Sequence, residues 1–122
     1  MKLASIMIAL GLFSAPTAWS QPASAIVPVR TGVYAPADAG CDIAAAALIS
    51  IHENGIGANK VDGKVLSIQH TGRSYSLDVL WVEVGADEVD GERDLVEIEV
   101  VDERSFFFSN TLSERTLMRW CS

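Results

Sequence analysis

Ser74-Tyr75-Ser76-Leu77-Asp78-Val79-Leu80-Trp81-Val82-Glu83-Val84, an acidic loop, and then Leu95-Val96-Glu97-Ile98-Glu99-Val100-Val101 decide the fold class. In the second run Val96, Ile98 and Val100 alternate with Glu97 and Glu99. A period of two places successive side chains on opposite faces, so this is a strand with one buried and one wet side. The first run is long, β-branched and aromatic, which suits a strand. Its parity changes part way, because Ser76 and Asp78 share a face with Leu80, Val82 and Val84. That change predicts a bulge or twist near Val79-Leu80.

The same pattern extends outward. Lys64 to His70 alternates Leu66 and Ile68 with Ser67 and Gln69, which predicts a half-buried strand. Thr71-Gly72-Arg73 is a tight turn, and Asp87 to Asp94 is an acidic loop around Asp90-Gly91. Ser105 to Ser109 carries Phe106, Phe107 and Phe108, so at least one ring must face each side. Arg115 to Cys121 is the last strand, with Leu117, Arg119 and Cys121 on one face and Met118 and Trp120 on the other. Ala46 to His52 reads as a strand. A short helix over 43–53 is the alternative, because Asp42 could cap it and Ala44 to Ala47 favour it. Short turns make consecutive strands antiparallel neighbours. The expectation is an all-β fold of about six or seven strands, a small antiparallel meander closing into a barrel or a compact sandwich.

Before these strands lies an export signal. Lys2 precedes the apolar run Leu3 to Phe13, which is too short to span a bilayer, and small residues follow. Ala18 and Ser20 place a cut before Gln21; Ala23 and Ala25 place the alternative before Ile26. Residues 1–20 are therefore read as a signal peptide, 21–40 as an extended N-terminal lead-in with Pro22, Pro28 and Pro36, and 41–122 as a single β domain. The protein is expected in the periplasm or outside the cell, with no membrane anchor. The two cysteines, Cys41 and Cys121, have only each other as partners, and an oxidising compartment predicts a disulfide between them.

The formal net charge is −7, and the excess is concentrated. Glu83, Asp87, Glu88, Asp90, Glu92, Asp94, Glu97, Glu99, Asp102 and Glu103 face Arg93 alone between positions 83 and 103. Such a surface repels nucleic acid and attracts cationic proteins. Glu97, Glu99, Asp90, Glu92 and, if its ring is outward, Phe107 are the candidate partner-binding residues. No catalytic, metal-ligand or cofactor motif stands out. His52 and His70 are the only histidines, and a metal or hydrolase reading would need them to converge with a carboxylate such as Glu53 or Asp78. The acidic loop lacks the ligand order of a calcium loop.

Gly32-Val33-Tyr34, Cys41, Ala46-Ala47-Leu48, Tyr75 and Arg119-Trp120-Cys121 together resemble small secreted proteins of Gram-negative bacteria that have no assigned activity. Many of those carry further cysteines in the middle, which this chain lacks. The resemblance implies a compartment and a size. The expected architecture is also similar to that of periplasmic lysozyme inhibitors, although their short inhibitory motif is not visible here. The function these readings favour is a non-enzymatic binding or inhibitor-like module; the alternative is a small hydrolase or metal-dependent enzyme built on His52 and His70.

Overall fold

The computed structural model describes residues 23–42 and 47–122. The strands are β1 (Gly32–Pro36), β2 (Ile49–Ile51), β3 (Gly55–Ala58), β4 (Val61–Thr71), β5 (Ser74–Glu83), β6 (Glu92–Asp102), β7 (Ser105–Ser109) and β8 (Thr116–Trp120). Each pairs antiparallel with its neighbour in sequence, and β8 returns to β1, so the meander is a closed eight-stranded barrel. The up-and-down order collects the β2–β3, β4–β5 and β6–β7 turns at one end. The β1–β2, β3–β4, β5–β6 and β7–β8 connections leave and return at the other, here called the mouth.

The alternation in β6 holds as read: Val96, Ile98 and Val100 are buried while Glu97 and Glu99 point outward. Leu77 and Val79 of β5, Phe106 and Phe108 of β7, Met118 of β8 and Tyr34 of β1 fill the same interior. Burial of each such side chain contributes about 1.5–3 kcal/mol, and Tyr34 and Phe106 add a tilted ring contact with centroids 4.7 Å apart. The segment after Leu48 is strand and not helix, because Ile49 to Ile51 pair with both β1 and β3. Residues 43–46, where a helix was the alternative, lie outside the described residues.

Two details of the central strands differ from expectation. The irregularity is in β4, between Val65 and Ser67, and not at Val79-Leu80 of β5. β5 itself keeps one parity, pairing without interruption with β6 from Ser74 to Trp81. Leu80 is apolar on the outer face because the β5–β6 loop folds back over it; a Cβ on Gly91 would lie 2.9 Å from Leu80 Cδ1. Secondly, Leu66 and Ile68 do not enter the core. They remain 41% and 40% exposed, because β3 pairs only with Val61 to Lys64 and leaves the rest of β4 with one neighbour.

The larger correction concerns the described part of the lead-in, residues 23–40, because Gly32 to Pro36 within it are a barrel strand and the barrel therefore starts before Cys41. Gly32 to Pro36 form β1. Ahead of it, Ile26, Val27 and Val29 are buried and plug the barrel end opposite the mouth. The plug is tied to two turns: Ala25 N–H donates to Glu53 O at 2.7 Å, and Arg30 N–H donates to Glu103 O at 2.7 Å. Ser24 Oγ donates to His52 O at 2.6 Å. Tyr34 reaches down to donate its hydroxyl to Arg30 O at 2.6 Å. Burial pushes that phenol up to about 12.

The β1–β8 seam closes the barrel. Tyr34 faces Trp120 and Pro36 faces Met118. Cys121 N–H donates to Val33 O at 2.7 Å, and Val33 N–H donates to Ser122 O at 2.7 Å. Gly32, at φ +140°, sits so close to Ser122 and the Trp120 indole that no side chain fits. The Cys41–Cys121 disulfide spans a sequence separation of 80 beside this seam, with the Cα atoms 5.9 Å apart. Reduction, or Cys41→Ser with Cys121→Ser, is therefore expected to lower unfolding free energy by about 2–5 kcal/mol. Denaturant unfolding of the oxidised and reduced protein measures it, and coincident curves would contradict the seam's dependence on the bond.

Candidate functional site

The mouth holds a cavity of about 320 Å³. Ile49, Ala58, Val61, Phe108 and Trp81 form its apolar wall, and Glu92, Asp94 and the β7–β8 loop from Asn110 to Ser113 form its rim. Trp81 fits because its register partner is Gly63, where a Cβ would come within 2.9 Å of the indole ring. A small residue opposite a large one is how a narrow barrel accommodates an indole at its end.

Asp94 fixes the rim. The Trp81 indole Nε1–H donates to Asp94 Oδ2 at 2.9 Å. The Thr111 hydroxyl donates to Oδ1 at 2.9 Å, and the Thr111 amide donates to the same oxygen at 3.3 Å. Burial pushes the Asp94 carboxyl up, but these donors outweigh it and hold the group below its ordinary value. Asn110 Oδ1 accepts the Leu112 and Ser113 amides at 3.1 and 2.7 Å, which shapes the loop. The pocket wall and the rim loop are thus joined through one ionised carboxylate.

Around this cavity the surface is apolar and acidic together. Val84 and Val89 in the β5–β6 connection are 71% and 87% exposed, and Leu112 in the β7–β8 loop is 93% exposed. These are the three most exposed large hydrophobic side chains among the described residues. The β5–β6 loop contains a single 3-10 turn, Glu88–Asp90, which Lys64 holds through Glu88 at 3.2 Å. Glu83, Asp90 and Glu92 border a second hollow beside Trp81. Glu83, Asp87, Asp90 and Glu92 have no side-chain hydrogen bond or ion pair among the described residues.

The partner-binding candidates fall into two groups. Asp90 and Glu92 stand at the mouth. Glu97, Glu99 and Phe107 stand on the outer wall, with Glu99 directly opposite Phe107, and each is engaged. Ser76 Oγ donates to Glu97 at 2.8 Å. Arg115 pairs with Glu99 at 2.7 Å and lies 4.0 Å over the Phe107 ring. The ring is outward, as one of three consecutive phenylalanines must be, but a guanidinium already covers it. Arg93 is taken by Asp78 across the β5–β6 pair.

The two histidines are not brought together. The His52 ring packs against Gly57, which faces Asp62 on β4. The eight-residue step from Asp62 to His70 along β4 is on the order of 25 Å. His70 stacks on Tyr75 with centroids 4.7 Å apart and planes 7° from parallel. Among the described residues no group of three His, Cys, Asp or Glu side chains is placed to hold a metal ion. No helix among them is long and apolar enough to cross a membrane.

The mouth was not legible beforehand. Trp81 lies within the first of the two deciding strands, and Thr111 and Leu112 fall between the last two strands read from the sequence. The one available signal was the spacing that puts Trp81, Asp94 and Thr111 next to connections expected at one end of a meander.

The chain matches no protein-family model, no curated protein and no solved structure.

The Asp94 network has a pH signature. A carboxyl held below its ordinary value stabilises the fold above the unfolded-state value near 4, and that contribution is lost as pH falls through the lower folded value. Asp94→Asn should melt below wild type at pH 7, and the gap should shrink as pH falls below about 4. Melting temperatures of both proteins across that range test it; a gap independent of pH would contradict the role given to the carboxylate.

Proposed function

We propose that the protein is an exported, non-enzymatic binding module, periplasmic or secreted, whose mouth takes an apolar group carried by a cationic partner. One observation carries this reading. The apolar cavity, the three most exposed large hydrophobic residues and four carboxylates (Glu83, Asp87, Asp90 and Glu92) that no side chain among the described residues engages lie together at one barrel end. Scattered exposed aliphatics need no explanation, but their concentration beside a cavity points to a contact surface. A cavity near 300 Å³ is at the lower limit for a small ligand and also suits a single side chain of a partner. The acidic loop supplies the field that draws a cation toward it, and Glu97 and Glu99 extend that field along the wall without belonging to the contact.

The plug supports a particular maturation. Removal of the leader before Gln21 keeps Ser24 and Ala25, which bond to the β2–β3 turn. A cut before Ile26 would delete both and leave a charged amine at the buried Ile26, at an uncompensated cost. N-terminal sequencing of the exported protein should read Gln21, and a start at Ile26 would overturn this assignment.

Binding is tested with two peptides of one length, an amphipathic Lys/Leu peptide and its Glu/Leu counterpart, followed by Trp81 fluorescence. The Lys/Leu peptide should bind and weaken as salt rises, while the Glu/Leu peptide should not. Val89→Ser with Leu112→Ser, which leaves every charge in place, should weaken binding about tenfold. Glu97→Gln with Glu99→Gln should slow association while leaving dissociation unchanged. Equal affinity in wild type and in the Val89/Leu112 variant would remove the mouth from the contact and overturn the proposal.

A further inference from the structure

Below Lys64, β4 is a sheet edge. Its pairing with β3 ends at Gly55↔Lys64, and from Ser67 to Thr71 it pairs only with β5. No backbone hydrogen bond on its other side joins it to any described residue. Residues 66 to 71 are all exposed, including Leu66 and Ile68. Alternate residues of such an edge turn their N–H and C=O groups outward, ready for another strand. The edge is also already straight. The bulge lies above it at Leu66, the register from Ser67↔Asp78 to Thr71↔Ser74 is unbroken, and His70 stacks across on Tyr75. Exposed edges are commonly protected by charge or proline, and here Val65 to Gly72 contains neither.

We propose that this edge pairs with the same edge of a second copy, antiparallel about a two-fold axis at Ile68. Charge argues for a second copy. Two strongly acidic molecules meet closely most readily where the facing strands are neutral, and Val65 to Gly72 contains no Asp, Glu, Lys or Arg. Self-pairing also needs a strand compatible with its own reverse. About Ile68, that register sets Ile68 opposite the partner's Ile68, Ser67 opposite the partner's Gln69, and Leu66 opposite the partner's His70. Every pair is apolar or uncharged polar, and both exposed aliphatics become covered. The interface is isologous and closed, so it yields a dimer and not a fibre. It lies on the β4 wall and is independent of the reading of the mouth.

Sedimentation of the oxidised protein over a rising concentration series tests this, together with amide exchange at low and high concentration. A concentration-dependent dimer is expected, with the Ile68 and His70 region gaining protection as the dimer forms. Ile68→Lys would set two like charges face to face at the axis and should weaken dimerisation at least about tenfold. Residue 68 is exposed, so the variant's melting temperature should stay near that of wild type. A wild-type monomer at every concentration would overturn the proposal. So would a dimer of unchanged affinity in a folded Ile68→Lys protein, or protection gained elsewhere while residues 67–71 exchange as in the monomer.

Discussion

Closure of β8 onto β1 is the constraint on which the structure depends. β1, β2 and β3 contain only 5, 3 and 4 residues, too few to hold a sheet by themselves. They are retained because β1 is bounded on its far side by β8. The seam is narrow, so its parts are specialised: Gly32 leaves room for the Trp120 indole and Ser122, the Cys121 amide and the Ser122 carbonyl pair with Val33, and the disulfide limits how far the two strands can separate. A small domain buries a modest core, and here a covalent restraint is placed where the first and last strands meet.

Closure makes the two barrel ends different. The segment that enters β1 must cross one end, and Ile26, Val27 and Val29 seal it. The other end receives the β1–β2, β3–β4, β5–β6 and β7–β8 connections and no such plug from the described residues, so a cavity remains there. Charge follows the same division. On the wall, Asp78, Glu97 and Glu99 are matched by Arg93, Ser76 and Arg115. At the mouth, Asp94 is consumed in holding the rim loop, while Glu83, Asp87, Asp90 and Glu92 face solvent. An exposed carboxylate that no side chain among the described residues engages costs little in stability and contributes its field to an approaching cation. The mouth is thereby distinguished from the rest of an acidic surface by geometry and by unspent charge together.

Much of this was legible from local patterning. The alternation of Val96, Ile98 and Val100 with Glu97 and Glu99 identified β6 and its inward face, because period two depends only on neighbours in sequence. The disulfide followed from there being two cysteines. The plug was not legible. Ile26, Val27 and Val29 are interrupted by Pro28 and follow no period, and their burial depends on the turns at Glu53 and Glu103 far along the chain. The exposure of Leu66 and Ile68 was hidden for a similar reason: their strand is amphipathic by itself, and only the short β3 leaves it uncovered. The bulge at Leu66 was misplaced because Leu80, apolar on the outer face beneath the β5–β6 loop, imitates a change of parity that β5 does not make. The mouth combines Trp81, Asp94 and Thr111 from β5, β6 and the β7–β8 loop, so it exists only once the barrel has closed.

Residue-resolved amide exchange on the oxidised protein tests the closed and plugged barrel most directly. The account predicts that Val33 and Cys121 at the seam, and Ala25 and Arg30 in the plug, exchange as slowly as the buried part of β6, while amides of the loops that have no hydrogen bond among the described residues, such as Gly85, Asp87 and Val89, exchange fast. Exchange of the seam and plug amides at the rate of those loops would contradict closure at β1–β8 and, with it, the assignment of the open end as the binding face.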